Sequence, residues 1–336
     1  MILVLNCGSQ SIKWKVFDSK LKTIKQNKLE VLNSGDYSKL LEEELSKLKN
    51  FEILKIGHRV VHGGKQFRKP TQITEPVLAE LKKISHFASL HNPYNIMGIE
   101  TCRKIFGDTK NFAVFDTDFF KDLPPHAFTY ALPENIVKDF GFRKYGFHGI
   151  SHEYVAKEAA KKLKKSFEKL KIITCHLGGG ASIAAIKNGK AVDTSMGFTP
   201  MQGLVMMTRP GDMDPGVVLE IVKKYGPDKA EDILNKESGI KGICGEGEFL
   251  NVLKQMAEGS ERSRRAFDVF VYSIKKYIGA YFAILGGCDA LVFTGAIGAG
   301  VPKTRDEICR NMDILKKTKV LAIETDEELA IANKIL

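Results

Sequence analysis

Apolar residues recur in short runs that are separated by glycine-rich turns. Residues 2–5 form a continuous apolar run, and residues 12–17 alternate between apolar and polar positions. A Cys-Gly-Ser-Gln-Ser segment joins the two runs. This pattern predicts two β-strands paired as a hairpin at the start of the sequence.

The same arrangement returns later in the chain. Residues 173–176 lead through three glycines to the apolar run 182–186, so Gly8-x-x-Ser11-Ile12 is matched by Gly179-x-x-Ser182-Ile183. Two copies of a strand, a polar glycine turn and a second strand indicate a duplicated domain.

Further strands and helices alternate between and after these hairpins. Apolar runs predict strands at residues 112–116 and 291–294. Helical spacing of apolar positions predicts helices at residues 37–48, 75–85, 153–170, 260–285 and 326–335. The alternation favours α/β layers. Residues 280–300 contain Asp289 and several glycines, so they fit a helix end followed by a buried strand better than a membrane span.

Composition limits the kinds of partner. The 336 residues correspond to about two average domains. Lys and Arg exceed Asp and Glu by 51 to 40, giving a formal charge of +11 that favours small anions. The lysines are scattered or lie in helical runs such as 161–165, which is typical of a solvated helix face and not of a nucleic-acid patch. Six separate cysteines without a C-x-x-C motif, and no signal peptide, predict a cytoplasmic protein that binds neither nucleic acid nor membrane.

Several common catalytic motifs are missing from the sequence. It contains no G-x-x-x-x-G-K-[ST], no G-x-G-x-x-G after a strand and no G-x-S-x-G. The two glycine turns remain, and each is either a plain hairpin turn or a cradle whose backbone N–H groups bind phosphate. Their duplication favours a nucleotide held between two domains.

Two arginines and two histidine pairs are the other candidates for chemistry. Arg59 and Arg209 lie in glycine- or proline-rich segments and either bind an anion in a forked geometry or form structural ion pairs. Asp116 and Glu327 are candidates for a metal ion or a proton, or for helix caps. His58/His62 and His148/His152 have i, i+4 spacing but lack the H-E-x-x-H pattern of a zinc site. A histidine among anions can instead stabilise developing negative charge.

In these segments the chain resembles the acetate kinase family. Matching motifs occur in order along the whole chain, at residues 3–13, 57–64, 90–93, 114–117, 144–152, 172–178, 193–200, 208–215 and 327–332. The resemblance implies an α/β fold of two duplicated ribonuclease H-like (actin-like ATPase) domains with a nucleotide cleft between them. Residues 1–147 would form the first domain and 148–323 the second, with a helix in 324–336 packing back on the first. It also implies a homodimer that transfers the γ-phosphoryl group of ATP to acetate with Mg²⁺.

The resemblance also implies roles for individual residues. The implied catalytic residues are Asp116, His148 and Arg209. The implied acetate site consists of Arg59, Val61, Leu90, Phe147 and Pro200. The implied nucleotide contacts are Lys13, His176, Leu177, Gly178, Gly179, Gly180, Ala296, Ile297, Gly298 and Gly300. Asn6 and Glu327 would position Mg²⁺.

The chain departs from the family pattern on the side of the phosphoryl donor. Gly179 stands where acetate kinases usually have Asn and butyrate kinases have Gly, and residues 296–301 lack the polar pair of the usual adenosine loop. Residues 248–250 lack the arginine of a second nucleotide segment, and the stretch from 301 to 324 is short. Propionate or butyrate as acceptor, and another nucleoside triphosphate or pyrophosphate as donor, therefore stay open as alternatives. A non-enzymatic actin-like protein would not need Arg59, His148 and Arg209 together.

Overall fold

The computed structural model describes residues 1–9, 11–31 and 34–336. The chain folds into two compact units. The first unit comprises residues 1–121, 147–154 and 326–336, and the second comprises residues 122–146 and 155–325. The expected division at residue 147 stays a prediction. In the structure, residues 122–146 pack with the second unit and residues 147–154 with the first.

Eleven strands form within the described residues. They are β1 (Ile2–Gly8), β2 (Ser11–Phe17), β3 (Thr23–Glu30), β4 (Lys55–Val60), β5 (Thr71–Gln72), β6 (Lys110–Phe115), β7 (Lys171–Leu177), β8 (Ala181–Lys187), β9 (Lys190–Thr194), β10 (Ala290–Thr294) and β11 (Lys319–Ala322).

Fourteen α-helices connect or cover these strands in the same part of the chain. They are α1 (Tyr37–Ser46), α2 (Glu75–Lys83), α3 (Asn92–Phe106), α4 (Pro125–Phe128), α5 (Glu134–Phe140), α6 (Gly149–Leu163), α7 (Pro215–Tyr225), α8 (Pro227–Asp232), α9 (Gly239–Cys244), α10 (Phe249–Ala257), α11 (Glu261–Leu285), α12 (Gly295–Gly298), α13 (Pro302–Cys309) and α14 (Glu327–Ile335).

The two sheets repeat one strand order. The first runs β3-β2-β1-β4-β6-β5 and the second runs β9-β8-β7-β10-β11. In each sheet the first three strands of this order are antiparallel, and the next two continue parallel to the third. The first sheet has one further strand, β5, which pairs antiparallel with β6 at its edge. Both sheets also have a register shift in the corresponding pair of strands, β2 with β3 and β8 with β9. The duplication predicted from the two glycine turns is confirmed by this shared topology.

The central strand of the first sheet is covered on both faces. Leu3 and Leu5 of β1 join a buried cluster with side chains of α1 and α3. Val4 on the opposite face packs with Ile331 and Ile335 of α14. A covered strand reads as a continuous apolar run, which is the pattern of residues 2–5.

Helix α14 lies very close to the first sheet because β4 has a glycine beneath it. A Cβ atom at Gly57 would lie 2.6 Å from Cγ2 of Ile331 and 2.9 Å from Cδ1 of Ile335. Lys55 of the same strand donates to the backbone carbonyl of Ile335 at 2.8 Å. The sheet therefore fixes both the distance of α14 from β4 and the position of the last turn of the helix.

The second unit is organised around the long helix α11. Its buried side chains recur at helical spacing and include Phe267, Phe270, Ile274, Ile278 and Tyr281. Ser260 caps the helix by accepting a hydrogen bond from the backbone N–H of Ser263. The strand β10 follows α11, as predicted from the glycines of residues 280–300.

Most predicted elements are confirmed, with shifted ends. Helix α6 begins at Gly149 and ends at Leu163, instead of covering residues 153–170. The next residue, Lys164, has a left-handed backbone with φ of 53°, which ends the helix. The hydrophobic pattern did not predict α3, which has a glycine in its middle. Across the described residues, none of the helices combines the length and apolarity needed to cross a membrane.

Candidate active site

Two parallel neighbours of the first sheet end in opposite charges. Arg59 lies near the end of β4, and Asp116 directly follows β6. The Arg59 Nε atom lies 3.2 Å from each carboxylate oxygen of Asp116, and Nη2 donates to Oδ2 at 2.6 Å. The Asp116 side chain is 1 % exposed and that of Arg59 is 17 % exposed. This forked, buried pair joins two residues that the sequence placed in separate roles.

Burial and charge act in opposite directions on this pair. Burial raises the pKa of the Asp116 carboxyl group, and the guanidinium of Arg59 opposes that rise. Burial also acts to lower the pKa of Arg59, but attraction to Asp116 and Glu327 outweighs it, so this pKa lies above its usual value. The guanidinium therefore stays charged, and Asp116 has a higher proton affinity than an ordinary surface aspartate.

Asn6 connects this ion pair to the start of α14. Its Oδ1 accepts from Arg59 Nη1 at 3.3 Å, and its Nδ2 donates to Glu327 Oε2 at 3.1 Å and Glu328 Oε1 at 3.4 Å. Glu327 Oε2 lies 3.7 Å from Arg59 Nε. The two residues that the family resemblance assigns to Mg²⁺, Asn6 and Glu327, are thus in contact.

The start of α14 is held by contacts of Lys15, Asp326 and Glu328, of which the sequence reasoning missed Lys15 and Glu328. Lys15 of β2 contacts Asp326 at 2.7 Å and Glu328 at 3.6 Å. Asp326 is also the N-cap, because its side chain accepts from the backbone N–H of Leu329 at 2.9 Å. The signal in the sequence is weak: Glu328 adjoins Glu327, and Lys15 shares a strand face with Lys13.

His148 lies beside Asp116 because of its backbone. It has a left-handed conformation with φ of 56°, which is uncommon for a residue other than glycine. Its backbone N–H donates to the Asp116 carboxylate. The N–H of Gly149 donates to the Asp116 carbonyl at 2.9 Å, and a Cβ at Gly149 would lie 2.1 Å from that oxygen. The start of α6 is therefore fastened to the end of β6.

Four of the five acetate-site candidates, Arg59, Val61, Leu90 and Phe147, belong to the first unit. Val61 and Phe147 are buried, and the ring of His62 lies 5.5 Å from that of Phe147. Leu90 is half-buried and precedes α3.

Two buried asparagines of α3, which the sequence reasoning did not select, hold this part of the backbone. The side chains of Asn92 and Asn95 accept, at 3.0 Å each, from the backbone N–H groups of His62 and Val61. Asn95 also donates to the carbonyl of Cys7 at 2.7 Å, which ties the end of β1 to the same helix.

Arg209 and Pro200 contact each other in the second unit. The Nη1 atom of Arg209 donates to the Pro200 carbonyl at 2.8 Å. Burial lowers the pKa of Arg209, and among the described residues no carboxylate lies within ion-pair distance of it. The loop is fixed by hydrogen bonds from Met206 N–H to the Arg209 carbonyl and from Ser238 N–H to the Thr208 carbonyl. A partly buried guanidinium without a carboxylate is suited to bind an external anion.

The glycine turn of the second unit meets this loop. The N–H of Met207 donates to the Gly179 carbonyl at 3.2 Å. The start of α12 lies against the end of β7, because a Cβ at Gly295 would lie 2.5 Å from the Leu177 carbonyl. The glycine turn at Gly178–Gly180 therefore contacts the loop that carries Arg209 through Met207. The other implied nucleotide contacts of the second unit lie at the end of β7 and in the segment after β10, and they are His176, Leu177, Ala296, Ile297, Gly298 and Gly300.

Arg305 is a further residue that the sequence reasoning missed. Its guanidinium donates to the carbonyls of Gly298 and Ala299 at 2.9 and 2.8 Å. This contact holds the loop that follows β10. The sequence signal is an arginine in a chain that mainly uses lysine.

The chemistry of the Asn6 and Glu327 side chains fits a Mg²⁺ ion. Both offer oxygen ligands, and Mg²⁺ in phosphotransferases uses one or two carboxylates together with substrate phosphates and water. No group of three or more His, Cys, Asp or Glu side chains suited to a metal occurs in the described part of the chain. Lys13, which pairs with Asn6 across the β1–β2 hairpin, presents its side chain on the same face.

The repeated sheets and the polar strand ends define an α/β protein of the actin-like ATPase class. The profile of the Acetokinase family matches residues 26–335, and the chain belongs to this family. It is 41% identical over 386 residues to the acetate kinase of Clostridium novyi, covering 98% of this chain and 96% of that protein.

Two solved structures show the same similarity. The crystal structure of Porphyromonas gingivalis acetate kinase has a TM-score of 0.88 and 36% identity, covering 99% of this chain and 98% of that one. A propionate kinase from Francisella tularensis has a TM-score of 0.89 and 36% identity, with the same coverage. The family resemblance found in the sequence is confirmed.

Proposed function

We propose that this chain transfers the γ-phosphoryl group of ATP reversibly to acetate, giving acetyl phosphate and ADP. The observation that carries the proposal is the buried Arg59–Asp116 pair beside His148, in a chain whose full-length relatives are named acetate kinases. The chain is a kinase with a carboxyl group as acceptor.

The main obstacle in this reaction is electrostatic. A carboxylate oxygen of acetate attacks the γ-phosphorus as the bond to the bridging oxygen of ADP breaks, and no proton has to be removed from the acceptor. Fixed cations and in-line positioning therefore contribute more than acid–base chemistry. Arg59 and Arg209 supply charge for the acetate carboxylate and the phosphoryl group, and His148 donates to the charge that develops in the transition state.

Asp116 acts in this scheme as an orienting group. Its carboxylate holds the guanidinium of Arg59 from one side and accepts from the backbone N–H of His148. Val61, Leu90, Phe147 and Pro200 enclose the acetate methyl group. A small apolar pocket discriminates against each added methylene by only about 1–3 kcal/mol.

On the donor side, backbone groups carry most of the proposed binding. Backbone groups of the turn at Gly178–Gly180 and the side chain of Lys13 contact the ATP phosphates, and residues 296–300 contact the nucleoside. Asn6 and Glu327 would hold Mg²⁺, which would supply charge neutralisation on the phosphates when bound. We place the reaction in the cytoplasm, where ATP is available.

We also propose that the chain forms a homodimer. Helix α7 supports this assembly, because it is rich in valine, leucine and isoleucine yet buries none of its residues in the structure. Val217, Leu219 and Tyr225 are exposed on it. Light scattering of the purified protein should give twice the mass of one chain, and a monomer would contradict the assembly.

Donor and acceptor profiling tests the proposed function. Acyl phosphate is trapped with hydroxylamine while ATP, GTP or pyrophosphate is offered with acetate, propionate or butyrate and Mg²⁺. We expect ATP with acetate to have the highest kcat/KM. Activity with pyrophosphate but not with ATP would overturn the donor assignment, and no acyl phosphate from any pair would overturn the function.

Propionate is the second candidate acceptor. The structure of the Francisella tularensis propionate kinase matches this chain as well as the acetate kinase structure does, but the full-length relatives named acetate kinases favour acetate. The ratio of kcat/KM for acetate and propionate in the same profile decides between them.

A further inference from the structure

Lys334 of α14 connects three separate segments of the first unit. Its Nζ atom lies 2.7 Å from Glu153 Oε2 and 3.3 Å from Asp118 Oδ2. Asp118 lies in the turn that follows β6, and Glu153 lies in α6. The side chains of Lys334, Glu153 and Asp118 are 21%, 16% and 6% exposed, so the cluster is largely shielded from solvent.

Each of these three segments carries a residue of the proposed active site. Asp118 lies two residues after Asp116, and His148 directly precedes α6, whose first turns carry Glu153. Lys334 and Glu327 have the i, i+7 spacing that places two residues on one face of a helix. One ammonium group thus links the elements that present Asp116, His148 and Glu327.

The cluster gives α6 a second point of attachment. At its start the helix is already fastened to Asp116 through the backbone N–H groups of His148 and Gly149. One point of attachment leaves a helix able to rotate about it, whereas a second point a turn later fixes the rotation. The orientation of His148 against Asp116 therefore depends on the contact between Glu153 and Lys334.

The charge of Lys334 is maintained in this environment. Burial acts to lower the pKa of its ammonium group, but attraction to Glu153 and Asp118 outweighs burial and raises that pKa. Lys121 approaches the other carboxylate oxygen of Asp118 at 3.0 Å, so Asp118 accepts from two lysines. Such a network has defined geometry and is not a single mobile surface pair.

We propose that Lys334 is a positioning residue for phosphoryl transfer, which sets the relative placement of His148, Asp116 and Glu327 without touching substrate. This inference rests on the proposed function. It predicts an effect on kcat much larger than the effect on KM for acetate, because the ground-state contacts of acetate stay in place while the alignment for transfer is lost.

The test compares two lysines that hold the same helix. Lys334→Met removes the ammonium group but keeps the length of the side chain, and Lys55→Met removes the contact that Lys55 makes with the last turn of α14. We expect Lys334→Met to lower kcat at least tenfold with KM for acetate changed less than about threefold. We expect Lys55→Met to lower Tm but to keep kcat within about twofold, since Lys55 is not part of the cluster that joins α14 to α6 and to the turn after β6. Lys334→Arg should recover part of the lost kcat.

Glu153→Gln keeps the proposal testable if Lys334→Met does not fold. It should reduce kcat in the same way, and the double variant should be little worse than either single variant. Wild-type kcat in Lys334→Met or in Glu153→Gln, or an equal loss in Lys55→Met, would overturn the positioning role. Failure of the proposed function is separate, because it appears as inactivity of the wild-type protein toward every acceptor. If the wild-type protein is inactive, the positioning of His148 can still be measured. Its ¹⁵N-histidine NMR signal, assigned with His148→Gln, should shift in Lys334→Met.

Discussion

The two units share one sheet design but differ in what the strand ends carry. In the first sheet, Asn6 and Arg59 lie near the ends of β1 and β4, Asp116 directly follows β6, and Arg59 contacts both of the others. In the second sheet, β7 and β10 run into glycine turns, and the nearby guanidinium of Arg209 contacts only a backbone carbonyl among the described residues. The first unit places charged side chains where the second unit places backbone groups.

The same sheet design therefore presents two kinds of polar group. The same edge of each sheet is available, because parallel strands end there and the loops leave the core. In the first unit, buried charges need partners, so the site is a closed network of mutually satisfied groups. In the second unit the backbone groups of the glycine turn need no partner charge, and no carboxylate of the described residues lies within ion-pair distance of Arg209, which leaves this guanidinium available to an anionic ligand.

The strongest test of this comparison removes the arginine of the first unit. Arg59→Ala leaves the Asp116 carboxylate buried without its cation, which should lower the free energy of unfolding by about 3–5 kcal/mol as well as abolish activity. Urea denaturation followed by circular dichroism measures the loss. The surface variant Arg310→Ala should stay within about 0.5 kcal/mol of wild type. A similarly small change in Arg59→Ala would contradict the closed-network view.

Removing the arginine of the second unit should give the opposite combination. Arg209→Ala should reduce kcat/KM for acetate by at least about 10²-fold, equivalent to about 2.7 kcal/mol or more in the transition state. The unfolding midpoint should stay near that of wild type, because no carboxylate of the described residues loses a partner. Near-normal turnover would refute the assigned role of Arg209, and strong destabilisation would show that it is a structural residue.

Acid should weaken the first unit through a buried histidine of β4. Burial lowers the pKa of His58 from 6.5 to about 4, and its Nε2 atom lies 2.7 Å from Asn111 Oδ1. The unfolded chain binds this proton below pH 6.5 while the folded chain stays neutral, so stability is full above pH 6.5 and falls as pH drops towards 4. The loss should approach about 2 kcal/mol at pH 5.

Denaturation at several pH values checks this expectation. His58→Gln should reduce the pH dependence between pH 6.5 and 5 by nearly one proton, whereas the control His126→Gln, at an exposed position, should not. An unchanged slope in His58→Gln would show that His58 does not contribute to acid sensitivity. The buried His62, whose pKa is lowered to about 3, should account for part of the remaining slope.

The smallest expected difference between the two units is in the stability of glycine-to-alanine variants. A Cβ at Gly57 would overlap Ile331, so Gly57→Ala should cost about 1–3 kcal/mol of stability. A Cβ at Gly179 would meet nothing within 4 Å, so Gly179→Ala should change the free energy of unfolding by less than about 0.5 kcal/mol. Thermal unfolding of the two variants side by side distinguishes them, and equal shifts would contradict the open environment of Gly179.

The sequence was informative where a pattern is local. Both hairpins, the duplication and five helices followed from apolar periodicity, and the family motifs selected Arg59, Asp116 and Asn6 individually. The hydrophobic pattern did not predict helix α3, because Gly98 lowers the helix propensity in the middle of its sequence. The structure gives the reason for that glycine: a Cβ there would lie 2.8 Å from the sulfur of Cys7, so the residue permits close packing on β1.

The contacts between site residues could not be predicted from the sequence, for a different reason. The contact between Arg59 and Asp116 depends on the register of β4 against β6, which pairs Arg59 with Val114. Lys15, Glu328 and Lys334 matter only because α14 returns to the first sheet. These contacts join residues far apart in sequence, so no local pattern reports them.

The return of α14 also has a consequence for synthesis on the ribosome. The face of β1 and β4 that bears Val4 and Gly57 is translated early, but Ile331, which covers it, emerges only after residues 155–325 of the second unit. The second unit can therefore complete its core first, while the apolar face of the first sheet is still exposed to solvent. During that interval the nascent chain is exposed to aggregation and is a natural client for chaperones.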